Sequence, residues 1–195
     1  AEPFIFSDAH DVPMPMDYYI WCIVGKNSYY VVDTGFDEAQ AAARKRKHLR
    51  SPLEALQVIG IDGAKAEHVV LTHLHYDHSG NLEMFPNAKL YLQEREMAYA
   101  TGKYMADEVM RHPFHVGYVV DVVHALYDGR VEYVNGVREI APGITLHHVG
   151  GHTDGLQILR VWTKRGWVVL ASDATHYYGN IFGTNPFPIV FNVGH

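Results

Sequence analysis

The heptapeptide Thr72-His73-Leu74-His75-Tyr76-Asp77-His78 spaces its metal-binding side chains as H-x-H-x-D-H. Imidazole is costly to bury unless paired, and crowded imidazoles repel when protonated. A divalent metal reverses both penalties, because it takes neutral imidazole and ionised carboxylate. The bland alternative is a polar loop that happens to be rich in His, and the tight spacing argues against it. Two further blocks have the same character. Gly150-Gly151-His152-Thr153-Asp154-Gly155 sets a His in a glycine turn, where the backbone can approach closely. Asp173 ends the apolar run Trp167–Ser172, and a carboxylate at the end of a buried strand needs a partner; its other reading is a turn or capping Asp.

The elements that must position these residues can be read from pattern. Phe4–Ser7, Tyr18–Val24 and Ser28–Asp33 read as strands, the last two joined as a hairpin through Gly25-Lys26-Asn27. Asp37–Lys47 reads as a helix capped by Asp37, and Pro52–Ile59 as a short helix with Pro in its first turn. Glu67–Leu71 reads as a buried strand, so the His motif begins where a rigid element ends. Lys89–Leu92 is a strand, Glu94–Ala100 a helix, and Asp107–Ala125 mixed helix and loop broken at Pro113. Strands follow at Val131–Val134, Ile144–His148, Gln157–Thr163 and Trp167–Ser172. Alternation puts His147 and His148 on opposite faces, so at most one can face a site. Interleaved strands and helices in two halves suggest two packed sheets with helices outside.

Composition narrows the function classes. A net charge of −6 argues against a nucleic-acid partner. The basic run Arg44–Arg50 reads as a solvated helix end. The lone cysteine, Cys22, excludes an internal disulfide and reads as a core thiol compatible with a reducing compartment. No stretch reaches the ~18 apolar residues of a membrane span, and no signal peptide is visible, so a cytoplasmic location with no membrane partner is expected.

Taken together, the blocks resemble the metallo-β-lactamase superfamily. Val32-Asp33-Thr34-Gly35, Thr72–His78, Gly151–Gly155 and Ser172-Asp173 occur in the family's order over nearly the whole chain. The resemblance implies an α/β fold, an αββα sandwich, formed by residues 1–195 as a single domain with a dinuclear metal site between the sheet edges. By the same resemblance His73, His75 and His152 hold one metal, Asp77 and His78 the other, and Asp173 bridges them. Two Zn2+ suit imidazole and carboxylate; iron, manganese or cobalt fit the same ligand types. One departure stands out. The family supplies a further His to the second metal from a Pro-Gly-His-like turn, and here the segment after Asp173 is short. His195 is the candidate in this chain; otherwise part of the C-terminal region is missing.

Asp173 stands where a zinc β-lactamase carries Cys, and His75 where a flavodiiron site carries Glu. The acidic balance does not support the nuclease branches, and no added helical region marks a glyoxalase II. What remains is most similar to the N-acyl homoserine lactonase branch, through His73–Asn81 and Ala171–Tyr178. That resemblance implies a dinuclear zinc hydrolase, a quorum-quenching lactonase that opens the γ-lactone ring of N-acyl homoserine lactones with a metal-bridging hydroxide. Asp77 is the candidate to pass a proton to the leaving group. Asp33 either orients a ligand or serves a turn. Many such lactonases place Tyr three residues after the bridging Asp. Here His176 and then Tyr177 follow, and either could hydrogen-bond the substrate carbonyl, or His176 could be a surface residue. Tyr18, Tyr19, Trp21, Phe114 and Phe187 could line an acyl pocket or simply be core. The expected partner is a small lactone or ester; lactonases of this type are often homodimers. Competing readings are a glyoxalase II-type thiolesterase, a mononuclear iron persulfide dioxygenase and a non-catalytic ligand binder.

Overall fold

The computed structural model describes residues 15–182 and Phe191. The strand expected at Phe4–Ser7, the wall residue Phe187 and the candidate ligand His195 lie outside these residues. The chain divides into two compact units. The first comprises Tyr18–Leu92 and Met97–Tyr133; the second comprises Gln93–Glu96 with the described parts of Ala1–Asp17 and Val134–His195.

The first unit is built on a five-stranded sheet in sequential order: β1 (Trp21–Val24), β2 (Tyr29–Val32), β3 (His68–Val70), β4 (Lys89–Gln93) and β5 (Val131–Val134). β1 and β2 form the expected antiparallel hairpin, whereas β2, β3 and β4 are parallel. Val31, Val32, Val69, Val70, Leu90 and Leu92 are buried, as parallel strands read when both faces are covered. Between the strands run α1 (Glu38–Ala43), α2 (Pro52–Val58) and α3 (Tyr76–Ser79), followed by α4 (Glu94–Ala100), α5 (Glu108–Arg111) and α6 (Val116–Tyr127). α2 starts with a full capping box between Ser51 and Glu54, with Pro52 in its first turn.

α1 ends four residues before the helix expected over Asp37–Lys47. Asp37 caps its start through Gln40 N–H at 2.7 Å, but Lys45 takes a left-handed φ of 55°, which ends the helix. The basic run therefore does not complement a helix end. Arg44 instead donates to the carbonyls of His112 (3.0 Å) and Phe114 (3.3 Å), with its guanidinium 3.9 Å over the Tyr76 ring.

Asp37 is also held from the core side. Burial pushes its carboxyl up, but the Tyr118 hydroxyl, at 2.6 Å, and the Gln40 and Ala39 backbone outweigh this and hold it below its ordinary value. A depressed carboxylate contributes stability above its unfolded pKa and loses it as pH falls through the folded value. Tyr118→Phe should therefore cost about 1 kcal/mol near neutral pH, discounted for partial exposure. In urea unfolding, the gap between parent and variant should close as the pH falls below the depressed Asp37 value.

The second unit carries the antiparallel meander β6 (Val137–Ala141), β7 (Ile144–His148), β8 (Gln157–Thr163) and β9 (Gly166–Leu170), with α7 (Tyr178–Phe182) following. Leu146, Leu156 and Leu159 are its buried centre. β6 escapes a pattern reading because its residues are mostly exposed and charged side chains interrupt the apolar alternation. Two expectations are corrected. The strand expected at Trp167–Ser172 as a buried element ends at Leu170 and is the outermost of its sheet among the described residues, with Trp167 and Val169 about half exposed. Cys22 is only half-buried on β1, and that burial pushes its thiol pKa up.

Candidate metal centre

Parallel pairing determines where the first set of donors meets. Val32 of β2 lies opposite Val70 of β3, so the strand ends carrying Asp33 and Thr72 share one edge of the sheet. That edge, beyond the carboxyl ends of parallel strands, is where α/β sheets open toward ligands. Asp33 turns out of β2 with φ 59° and its N–H donates to Val70 O at 2.9 Å. Its buried carboxylate accepts from Thr72 N–H (2.7 Å), Thr72 Oγ1 (2.9 Å) and His78 Nδ1 (2.8 Å).

These contacts set the imidazole tautomers. His78 donates through Nδ1, which makes Nε2 its lone-pair nitrogen. The Thr72 hydroxyl proton is committed to Asp33, so the hydroxyl accepts from His73 Nδ1 at 3.2 Å. Nε2 is therefore the lone-pair nitrogen of His73 as well. The His73 ring centroid lies 4.6 Å from that of His75 and 4.1 Å from that of His78. A potential ligand atom of His73 comes within 4.8 Å of one on His75, and likewise of one on His78. Asp77 Oδ2 is 3.6 Å from His78 Nε2. His75 caps α3 and packs edge-to-face on Phe114 at 4.7 Å, while Tyr76 N–H donates to Pro113 O at 2.9 Å. Arg44 grips the carbonyls on either side of Pro113, so the basic run contributes to holding this loop.

The second unit gathers the second set. After β7, Gly150 and Gly151 take φ of 65° and 87°, and the N–H groups of Val149 and Gly150 both reach Leu156 O. The closed turn presents His152, whose Nε2 lies 3.2 Å from Asp173 Oδ2. His176 Nε2 lies 3.2 Å from the same oxygen, so two imidazoles converge on one carboxylate. His176 is largely hidden, which removes the surface reading. Tyr177 is anchored by its backbone, its N–H donating to Asn180 Oδ1 at 2.9 Å. His148 Nε2 contacts Asp154 O at 2.7 Å and His147 Nε2 contacts Thr145 Oγ1 at 3.0 Å, so both have other work.

The donor chemistry fits divalent metal: outer partners set the lone pairs of His73 and His78, and carboxylates lie beside imidazoles in both sets. The residues that the sequence reading missed are Glu96 and Arg44. Neither has a local signal, since each acts on a segment distant in sequence. Gly155 shows how tight the second turn is. A Cβ there would lie 2.1 Å from Glu96 N, a clash with backbone that cannot rotate away. Gly155→Ala should cost about 3 kcal/mol or more, read as a lowered urea midpoint of the metal-free protein.

Residues 15–192 match the family model of the Metallo-beta-lactamase superfamily, and the chain belongs to that family. The curated relatives include an N-acyl homoserine lactonase from Bacillus sp, 26% identical over 192 residues, spanning 88% of this chain and 70% of that protein. Another, from Bacillus thuringiensis, is 27% identical over 135 residues, spanning 68% of this chain and 48% of that protein. The chain thus spans about half the length of the latter. The fold matches the solved structure of an N-acyl homoserine lactone hydrolase with its product, N-hexanoyl-L-homoserine, bound at the catalytic metal centre. The TM-score is 0.70, with 21% identity, covering 89% of this chain and 69% of that one. Among the described residues, no helix is long and apolar enough to cross a membrane.

Proposed function

We propose that this chain is a dinuclear zinc lactonase that opens the ring of N-acyl homoserine lactones. The observation that carries the reading is the pair of donor sets: buried imidazoles locked by Asp33 in one unit, and His152 with His176 on Asp173 in the other. Relatives named as lactonases in the same family support the substrate class. In this reading His73, His75 and His152 would hold one metal and Asp77 and His78 the other, with Asp173 as a further carboxylate ligand. When bound, the metals would supply Lewis acidity and lower the pKa of a water near neutrality.

The chain's own residues do the rest. Asp33 orients His73 through Thr72, and His78 directly. Asp77, beside His78 Nε2, takes up the proton of the attacking water and returns one to the alcohol leaving group. His176 either donates to the substrate carbonyl or holds Asp173 in place; Tyr177 is the neighbouring donor candidate. Proton release on adding N-hexanoyl homoserine lactone to the zinc-loaded chain tests the reading, since ring opening yields a carboxylic acid. Release that tracks lactone consumption supports it; a zinc-loaded, folded chain that leaves the lactone intact contradicts it.

A further inference from the structure

The first turn of α4 grips the His152 turn on two sides. Glu96, fully buried, accepts through one oxygen, Oε2, from both Thr153 Oγ1 (2.6 Å) and Gly155 N–H (3.0 Å). On the exposed side Arg95 pairs with Asp154 through Nη2 to Oδ1 (2.6 Å) and Nε to Oδ2 (3.1 Å). From the strand side His148 Nε2 contacts Asp154 O at 2.7 Å. Every residue from Thr153 to Gly155 is therefore tied down immediately after His152. Gly155 has no room for a side chain because the α4 backbone presses against it.

We infer that Glu96 is a positioning residue for His152, acting through Thr153 and Gly155. The inference rests on His152 being a metal ligand. A buried carboxylate is costly, and one that merely tightened a turn could be replaced by an apolar contact. Two donors from residues flanking Asp154, converging on one oxygen, fix the position and tilt of the turn rather than its compactness. The exposed Arg95–Asp154 pair contributes little energy alone and serves as a guide from the solvent side.

The test uses the full chain and its Glu96→Ala, Glu96→Gln, Thr153→Val and His152→Ala variants. Zinc affinity is read by competition with a chelator, and ligand geometry by the visible absorption of the cobalt-loaded protein. Outer partners of metal ligands typically contribute about 10- to 100-fold in affinity. Glu96→Ala and Thr153→Val should weaken zinc binding about tenfold or more and alter the cobalt spectrum. Glu96→Gln keeps an oxygen acceptor and should restore both. If Glu96→Ala does not fold, Thr153→Val, which keeps the side-chain shape, carries the comparison. Parent affinity and an unchanged spectrum in Thr153→Val, with His152→Ala impaired, overturn the inference alone. Unchanged zinc binding in His152→Ala overturns the ligand reading beneath it.

Discussion

Replacing Asp173 with alanine is expected to lower homoserine lactone opening by at least about 100-fold and to weaken zinc binding in parallel. One oxygen of Asp173 meets both His152 and His176 at 3.2 Å, so a single carboxylate organises that half of the donors. Substitutions of groups that only touch a ligand already cost about 10- to 100-fold in metal affinity, so removing a ligand should reach the top of that range. Asp173 follows β9 in a short helical turn rather than lying in the strand, so its loss should leave the sheet intact. Circular dichroism of the variant should match the parent while turnover and zinc content fall. Parent-level turnover would remove Asp173 from the site.

Asp33→Asn should have an effect almost as large, by a different route. Asparagine has nearly the same shape but offers one oxygen and one amide nitrogen. With the oxygen kept toward Thr72 N–H, the amide faces Thr72 Oγ1 and His78 Nδ1, which now meet a donor. His78 must then accept at Nδ1 and carry its proton on Nε2, the nitrogen needed for a metal. Zinc affinity should fall about 10- to 100-fold with the fold retained. Asp33→Ala should instead cost about 3 kcal/mol or more of stability, because buried donors lose their acceptor together. Chelator competition and urea unfolding on both variants separate the two outcomes.

What could be read from the sequence was local. The H-x-H-x-D-H spacing, the glycines around His152, the cap at Asp37 and the proline at the start of α2 depend on neighbours a few residues apart, and the structure places Asp37 and Pro52 as expected. What could not be read depends on pairings across the chain. The role of Asp33 stayed open because it follows from the parallel register of β2 and β3, which brings Thr72 and His78 to it from 39 and 45 residues away. Glu96 gave no signal because Thr153, its partner, is 57 residues distant. The apolar run in β9 reads as buried, yet it is about half exposed, with no strand beyond it among the described residues. Likewise Arg44–Arg50 looks like a helix end until Arg44 is seen spanning to the loop that holds His75.

The most direct test of the central claim is the zinc stoichiometry of the folded chain, measured by calorimetric titration of the metal-free protein. The account predicts about two zinc ions per chain, one of them lost in His152→Ala. A folded chain that binds no zinc, or that binds it equally well without His73 and His152, would contradict it.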